Sequence, residues 1–177
     1  MARGLSVHIG LNACDPSHYA NNWSGPLEGC EADADVYIEL AKSLGYKPTV
    51  LKTSKATRVA VVDAITAAAT TLGSGDIFLL TYAGHGAQMP DADGDEDDMV
   101  DETWCLFDGE LLDDELNVLW SKFKRGVRIL VISDSCHSGT VTKMAYYAGT
   151  AAARAAASGE SVVRYRAMPP DVALRTY

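Results

Sequence analysis

Residues 76–88 read DIFLLTYAGHGAQ. From Asp76 to Tyr82 the run is apolar without alternation, the pattern of a strand covered on both faces in a parallel sheet. It breaks into Gly84, His85 and Gly86. A second run of the same kind, Val127–Ser133 (VRILVIS), leads into DSCHSGT at residues 134–140. Upstream, Leu5, Val7, Ile9 and Leu11 alternate with Ser6, His8 and Gly10, which is strand period, and Lys47–Lys52 reads as another short strand. Ser24–Ala34 reads as a loop. Tyr37, Leu40, Ala41 and Leu44 then recur at helical spacing and stop at Gly45. Val61, Ile65, Ala68 and Leu72 predict a second helix ended by Gly73. Beyond a polar stretch, Asp108-Gly109 predicts a hairpin. Asp113 is placed to cap a third helix that gathers Leu116, Leu119, Trp120 and Phe123 on one face. This order predicts an α/β fold, a mostly parallel sheet with helices on both faces. Four strands leave a buried-type edge open, which calls for a further strand or another chain.

The chain has 177 residues, 47% of them hydrophobic, enough for one domain with a sizeable core. Net charge is −9, and eight of the 24 carboxylates fall within residues 91–102 (DADGDEDDMVDE). With no stripe of Lys and Arg to displace counterions, nucleic acid is not the expected partner. No apolar run reaches the roughly 18 residues of a membrane span. MARGLSVHIGLN lacks the apolar stretch of a secretion signal, so a cytoplasmic location is expected. Cys14, Cys30, Cys105 and Cys136 form no CxxC pair, which argues against a zinc ribbon or a dithiol redox site. Each cysteine is then core filler or a reactive thiol.

Parallel neighbouring strands would carry His85 and Cys136 to the same edge of the sheet, where such folds do their chemistry. A thiol attacks as thiolate, and a nearby imidazole is the usual means of forming one. The glycines flanking His85 let a substrate backbone approach closely. The N–H groups of Gly86 and Cys136 are candidate donors to an oxyanion. His137 adjoins Cys136, but neighbouring side chains in extended backbone point apart, so His85 is the better base. His8 alternates with core positions and reads as structural. No residue orienting His85 can be named from spacing.

YAGHGAQ, followed 51 residues after its histidine by the cysteine of DSCHSG, resembles the caspase-like cysteine peptidases. The form of these motifs is most similar to metacaspases, including their prokaryotic members. HIGLN, LEGCEADAD and DETWCLFDG…LLDDEL add to the resemblance, which covers about residues 5–145 as a large-subunit catalytic domain. It implies a caspase-like three-layer sandwich with the small-subunit strands missing. It assigns residues 1–145 to the catalytic domain and 146–177 to a flexible tail or linker. It implies endopeptidase activity with His85 as base and Cys136 as nucleophile. Cleavage would follow Arg or Lys, held in an acidic pocket of Asp33 and Asp134 lined by Cys30. A buried guanidinium needs such carboxylates, although Asp33 also reads as a charge favoured near a helix N-terminus. Relatives often carry Ser where this chain has Ala83. A monomer is expected, acting on protein or peptide substrates.

Calcium is a possible cofactor. Asp91, Asp93, Asp95, Asp97 and Glu102 have EF-hand-like spacing, but Glu96 stands where the turn needs Gly; a solvated acidic loop is the alternative. The resemblance instead implies Asp101, Asp113 and Asp114 as ligands. Lys143 stands where calcium-dependent relatives have a further Asp. Arg154, Arg164, Arg166 and Arg175 make the tail a candidate for self-processing. Two other readings remain open: a silent or incomplete large subunit acting as a regulatory or binding module, and a calcium-responsive binding module.

Overall fold

The computed structural model describes residues 2–90, 100–135 and 166–176. In chain order the elements are β1 (Gly4–Gly10), α1 (Cys30–Ser43), β2 (Tyr46–Lys52), α2 (Arg58–Thr71), β3 (Ile77–Ala83), β4 (Gly86–Pro90), β5 (Val100–Leu106), β6 (Gly109–Leu112), α3 (Asp113–Ser121), β7 (Arg128–Asp134) and α4 (Pro170–Thr176). Four strands make a parallel sheet in the order β2-β1-β3-β7. β4, β5 and β6 make a separate antiparallel sheet. The hairpin at Asp108-Gly109 is thus the second half of a three-stranded unit. Its first strand, GAQMP, has no alternation from which it could be read.

Period 2 along β1 sends its residues to two different layers. Val7, Ile9 and Leu11 join Val61, Ile65, Leu72, Phe78, Leu80, Tyr82, Leu106, Leu111, Leu116 and Leu119 in the main core, under α2 and α3. Each fully buried Leu or Ile contributes about 1.5–3 kcal/mol relative to exposure. Ser6, His8 and Gly10 face α1. A Cβ on Gly10 would lie 2.3 Å from the Cys30 carbonyl oxygen, so only glycine lets the helix sit this close. His8 is fully buried between the Oγ1 of Thr81 (2.9 Å) and the Oγ of Ser6 (2.9 Å), and its ring stacks with Tyr37. Burial pushes its pKa down to about 4, so it is a neutral structural group.

Three element ends differ from the sequence expectation. α1 begins at Cys30, not near Tyr37. Gly29 takes φ +96° just before it, the Oδ1 of Asn12 accepts the Glu31 N–H, and Glu31 and Asp33 suit a helix N-terminus. The loop therefore ends earlier than its glycines suggest. α2 stops at Thr71, and Gly73 instead donates its N–H to Asp76, which also holds Arg3. α3 is preceded by Leu112, whose N–H goes to the Glu115 carboxylate, so Asp113 is its first helical residue rather than its cap.

β7 was expected to be buried. Instead Ile129, Leu130 and Val131 are 37%, 49% and 38% exposed. β7 is an edge strand, and among the described residues only β3 pairs with it. Residues 166–176 lie on the body of the fold. Met168, Val172 and Ala173 pack with Cys14, Tyr19, Ala87 and Cys105 in a second apolar cluster. Among the described residues, no helix is long and apolar enough to cross a membrane.

Candidate active site

The carboxyl ends of β3 and β7 lie side by side, with Ala83 in register with Asp134. β3 delivers His85 two residues past its end. Close packing holds the approach to it. The Tyr82 hydroxyl donates to the carbonyls of His85 (2.7 Å) and Cys105 (3.0 Å). A Cβ on Gly84 would lie 2.6 Å from that hydroxyl. The Cys105 N–H donates back to the His85 carbonyl at 3.0 Å. Tyr82 also stacks face to face on Trp104, whose Nε1 donates to the Ser133 Oγ at 3.1 Å. Ser133 and Ser135 hydroxyls are 3.0 Å apart. The backbone entering position 136 is therefore tied to the same aromatic pair that carries His85. Cys136 itself lies outside the described residues, as do Lys143 and the acidic positions 91–99.

The His85 side chain is 6% exposed. Its Nε2 is 2.9 Å from the Gly25 carbonyl, an acceptor only, so Nε2 carries the proton and Nδ1 keeps its lone pair. Nδ1 is buried without a partner among the described residues. The Trp23 ring packs against the imidazole with centroids 4.8 Å apart. Burial lowers the His85 pKa, partly offset by the Gly25 carbonyl. The ring is therefore neutral at pH 7 and able to accept a proton at Nδ1. Sequence reasoning missed Gly25, because a backbone carbonyl 60 residues away leaves no residue-type signature. The one trace is the loop punctuation at Gly25-Pro26.

Asp33 in the first turn of α1 and Asp134 at the end of β7 converge on one guanidinium. Arg166 donates from Nη2 to Asp33 Oδ2 at 2.7 Å and from Nη1 to Asp134 Oδ2 at 2.5 Å. Nη1 also reaches the Asp134 carbonyl at 3.2 Å. Partial burial opposes the charge on Arg166, and the two carboxylates outweigh it, so its pKa is raised. Cys30 is buried at the same place. Burial raises its thiol pKa and the Arg166 charge pulls the other way, so it is a neutral wall rather than a nucleophile. The Arg166 carbonyl accepts the Gly86 N–H at 3.0 Å. Gly86 thus offers a donor at the point where a peptide following an arginine in this pocket presents its carbonyl.

Of the three calcium positions, two are neighbours at the start of α3. The Asp113 Oδ1 accepts the Asp114 N–H at 3.1 Å, both in the first turn of α3. Asp101 pairs through its backbone with Met89 in the β4–β5 ladder. No group of three or more His, Cys, Asp or Glu side chains converges among the described residues.

Residues 7–145 match the sequence model of the metacaspase peptidase C14 domain. The chain is 33% identical to Metacaspase-1A of Aspergillus oryzae over 144 residues, 73% of this chain and 34% of that protein. It is 35% identical to Metacaspase-1 of Cryptococcus neoformans over 142 residues, 72% of this chain and 31% of that protein. The chain spans about a third of the length of these curated relatives. Among solved structures, protein GSU0716 from Geobacter sulfurreducens superposes with a TM-score of 0.81 at 55% identity, covering 99% of this chain and 61% of that one.

Proposed function

The chain belongs to the metacaspase family of C14 peptidases, and from that premise we propose that it is a cysteine endopeptidase that cleaves after Arg or Lys. Cys136 is the nucleophile and His85 its base. The thiolate attacks the scissile carbonyl, and the Gly86 and Cys136 N–H groups hold the oxyanion. His85 delivers its proton to the leaving amine, with the Gly25 carbonyl keeping the imidazole in one tautomer and orientation. Water then hydrolyses the thioester and returns the proton to the dyad.

The observation that carries this reading is Arg166. A guanidinium spans Asp33 and Asp134 while the carbonyl of the same residue rests on the N–H beside His85. Charge recognition and carbonyl positioning are thereby linked through one residue, as cleavage after a basic side chain requires. Lys offers one ammonium to the same carboxylates without the fork, so Arg is the better substrate.

The test is hydrolysis of fluorogenic peptides ending in Arg, Lys or Asp, beside Cys136→Ala. Turnover in the order Arg, Lys, with none after Asp and none by the variant, is expected. Turnover after Asp would overturn the acidic pocket. Turnover that survives Cys136→Ala would overturn the nucleophile.

The exposed β7 edge favours a second reading, a chain that turns over only when a further strand-bearing portion covers Ile129, Leu130 and Val131. Silence of the chain alone, with activity on adding that portion, would select it.

A further inference from the structure

Arg166 does not stand alone in the cleft. The residues after it continue along Gly86 in parallel-strand register, with Gly86 opposite Ala167. The Gly86 N–H donates to the Arg166 carbonyl at 3.0 Å, and the Met168 N–H donates to the Gly86 carbonyl at 2.9 Å. This ladder fixes which way each side chain points. Met168 is 3% exposed and packs in a recess walled by Cys14, Tyr19, Ala87 and Cys105, with Trp23 at its rim. Trp23 is also the ring that rests on His85. The recess therefore adjoins the base on the side where the residues following a cleaved bond must lie.

We infer that this recess is a subsite for the leaving-group side of the substrate, taking a small residue directly after the cleaved bond and an apolar residue of methionine size next. The inference rests on the peptidase reading and adds a second selection to it. Met168 shows how the recess is filled. A flexible thioether adapts to a wall of two thiols and a tyrosine ring. Acid is disfavoured there: Glu110 is buried and pairs with Cys105, a wall residue, across the β5–β6 hairpin. A carboxylate in the recess would find apolar surroundings and a like group nearby.

The same register makes the Arg166–Ala167 bond the chain's own substrate. Attack by the Cys136 sulfur on the Arg166 carbonyl carbon forms a thioester. The C–N bond to Ala167 breaks, and Ala167 leaves as an amine with the proton carried by His85. Water then releases the Arg166 carboxylate and restores the thiol. The cut frees Ala167 and Met168 to leave Gly86 and open the recess to a substrate, while Val172, Ala173 and the Ala20 N–H donating to the Thr176 hydroxyl at 3.1 Å hold the rest of the segment.

The experiment compares two internally quenched peptides, YRAMPP and YRADPP, with an Arg-aminomethylcoumarin substrate that has no residue after the arginine, all on the full chain. The inference expects a kcat/KM at least about tenfold higher for YRAMPP than for YRADPP, with the cut after the arginine in both. Equal values for the two peptides, with the coumarin substrate hydrolysed, would overturn the subsite and leave the peptidase standing. Failure to hydrolyse the coumarin substrate, both alone and with the strand-bearing portion that covers β7 added, would overturn the peptidase reading and the subsite with it. A second readout is intact mass after incubation. Met168→Leu should retain cleavage between Arg166 and Ala167, and Met168→Asp should lose most of it. Equal cleavage in the two would also overturn the subsite.

Discussion

The Nε2 of His85 lies 2.9 Å from the carbonyl oxygen of Gly25, in a loop 60 residues earlier in the chain. A backbone carbonyl thus does for this imidazole what a carboxylate does in catalytic triads. It selects the tautomer and fixes the ring without adding a charge. It also exposes the site to changes in a loop that carries no reactive side chain.

Gly25 has φ +49°, and a Cβ there would lie 2.5 Å from the Trp23 ring and 2.8 Å from His85 Cδ2. Gly25→Ala must therefore move the loop, the indole or the imidazole. A displacement of about 1 Å costs on the order of 10²-fold in rate. Steady-state kinetics of the folded variant should show a fall in kcat/KM of that order with little change in circular dichroism. Unchanged kcat/KM would show that the carbonyl does not orient the base.

The pH profile tests the electrostatics. Burial lowers the His85 pKa, so protonation of His85, the proposed base, is delayed until the pH is below the ordinary histidine value of 6.5. The acid limb of kcat/KM is expected below pH 6.5, reporting the dyad as a pair rather than either residue alone. A limb at or above 6.5 would mean that the imidazole is stabilised as a cation in the working enzyme.

On the proposed reading, Arg166 competes with external substrates for Asp33 and Asp134. Arg166→Ala should raise the initial rate on an Arg-coumarin substrate severalfold, because the pocket no longer has an internal occupant. Asp134→Asn should lower kcat/KM for the same substrate about tenfold or more, since a charge-assisted hydrogen bond becomes a neutral one. The two effects have opposite signs on one pair of residues, so a general loss of folding cannot mimic them.

His8 makes stability depend on pH. Its pKa is about 4 in the fold and 6.5 when exposed, so the unfolded chain takes up its proton first. The associated stability is present above pH 6.5 and is lost as pH falls toward 4. The full span is about 3 kcal/mol at 1.36 kcal/mol per unit. Urea unfolding of wild type and His8→Gln between pH 7 and 4.5 should converge as the pH falls. Parallel curves would place the titration elsewhere.

Much of the fold is legible without coordinates because it follows from local pattern. The alternation in β1, the apolar runs of β3 and β7, and the helical spacings of α1 and α2 each reflect a face that must be buried. An open edge is legible from the strand count, but that it falls on Ile129, Leu130 and Val131 is not. An apolar run says that a strand suits burial, not that a neighbour is present to bury it. The start of α1 is not legible because the glycines of residues 24–34 look like loop, whereas Asn12, from another segment, supplies the acceptor for the Glu31 N–H.

The amino-acid sequence by itself determined which residue types stand at the ends of β3 and β7: a histidine between glycines, and an Asp-Ser-Cys run. Those are properties of neighbours along the chain, carried by side-chain chemistry. Only the tertiary structure decided what those ends face. The Gly25 carbonyl on His85, the convergence of Asp33 and Asp134 on Arg166, and the seating of Met168 behind Gly86 join positions separated by 32 to 133 residues. Two of the three also depend on backbone groups, which every residue carries alike. A spacing pattern cannot encode a partner that has no side-chain identity, so these contacts come from how the layers pack.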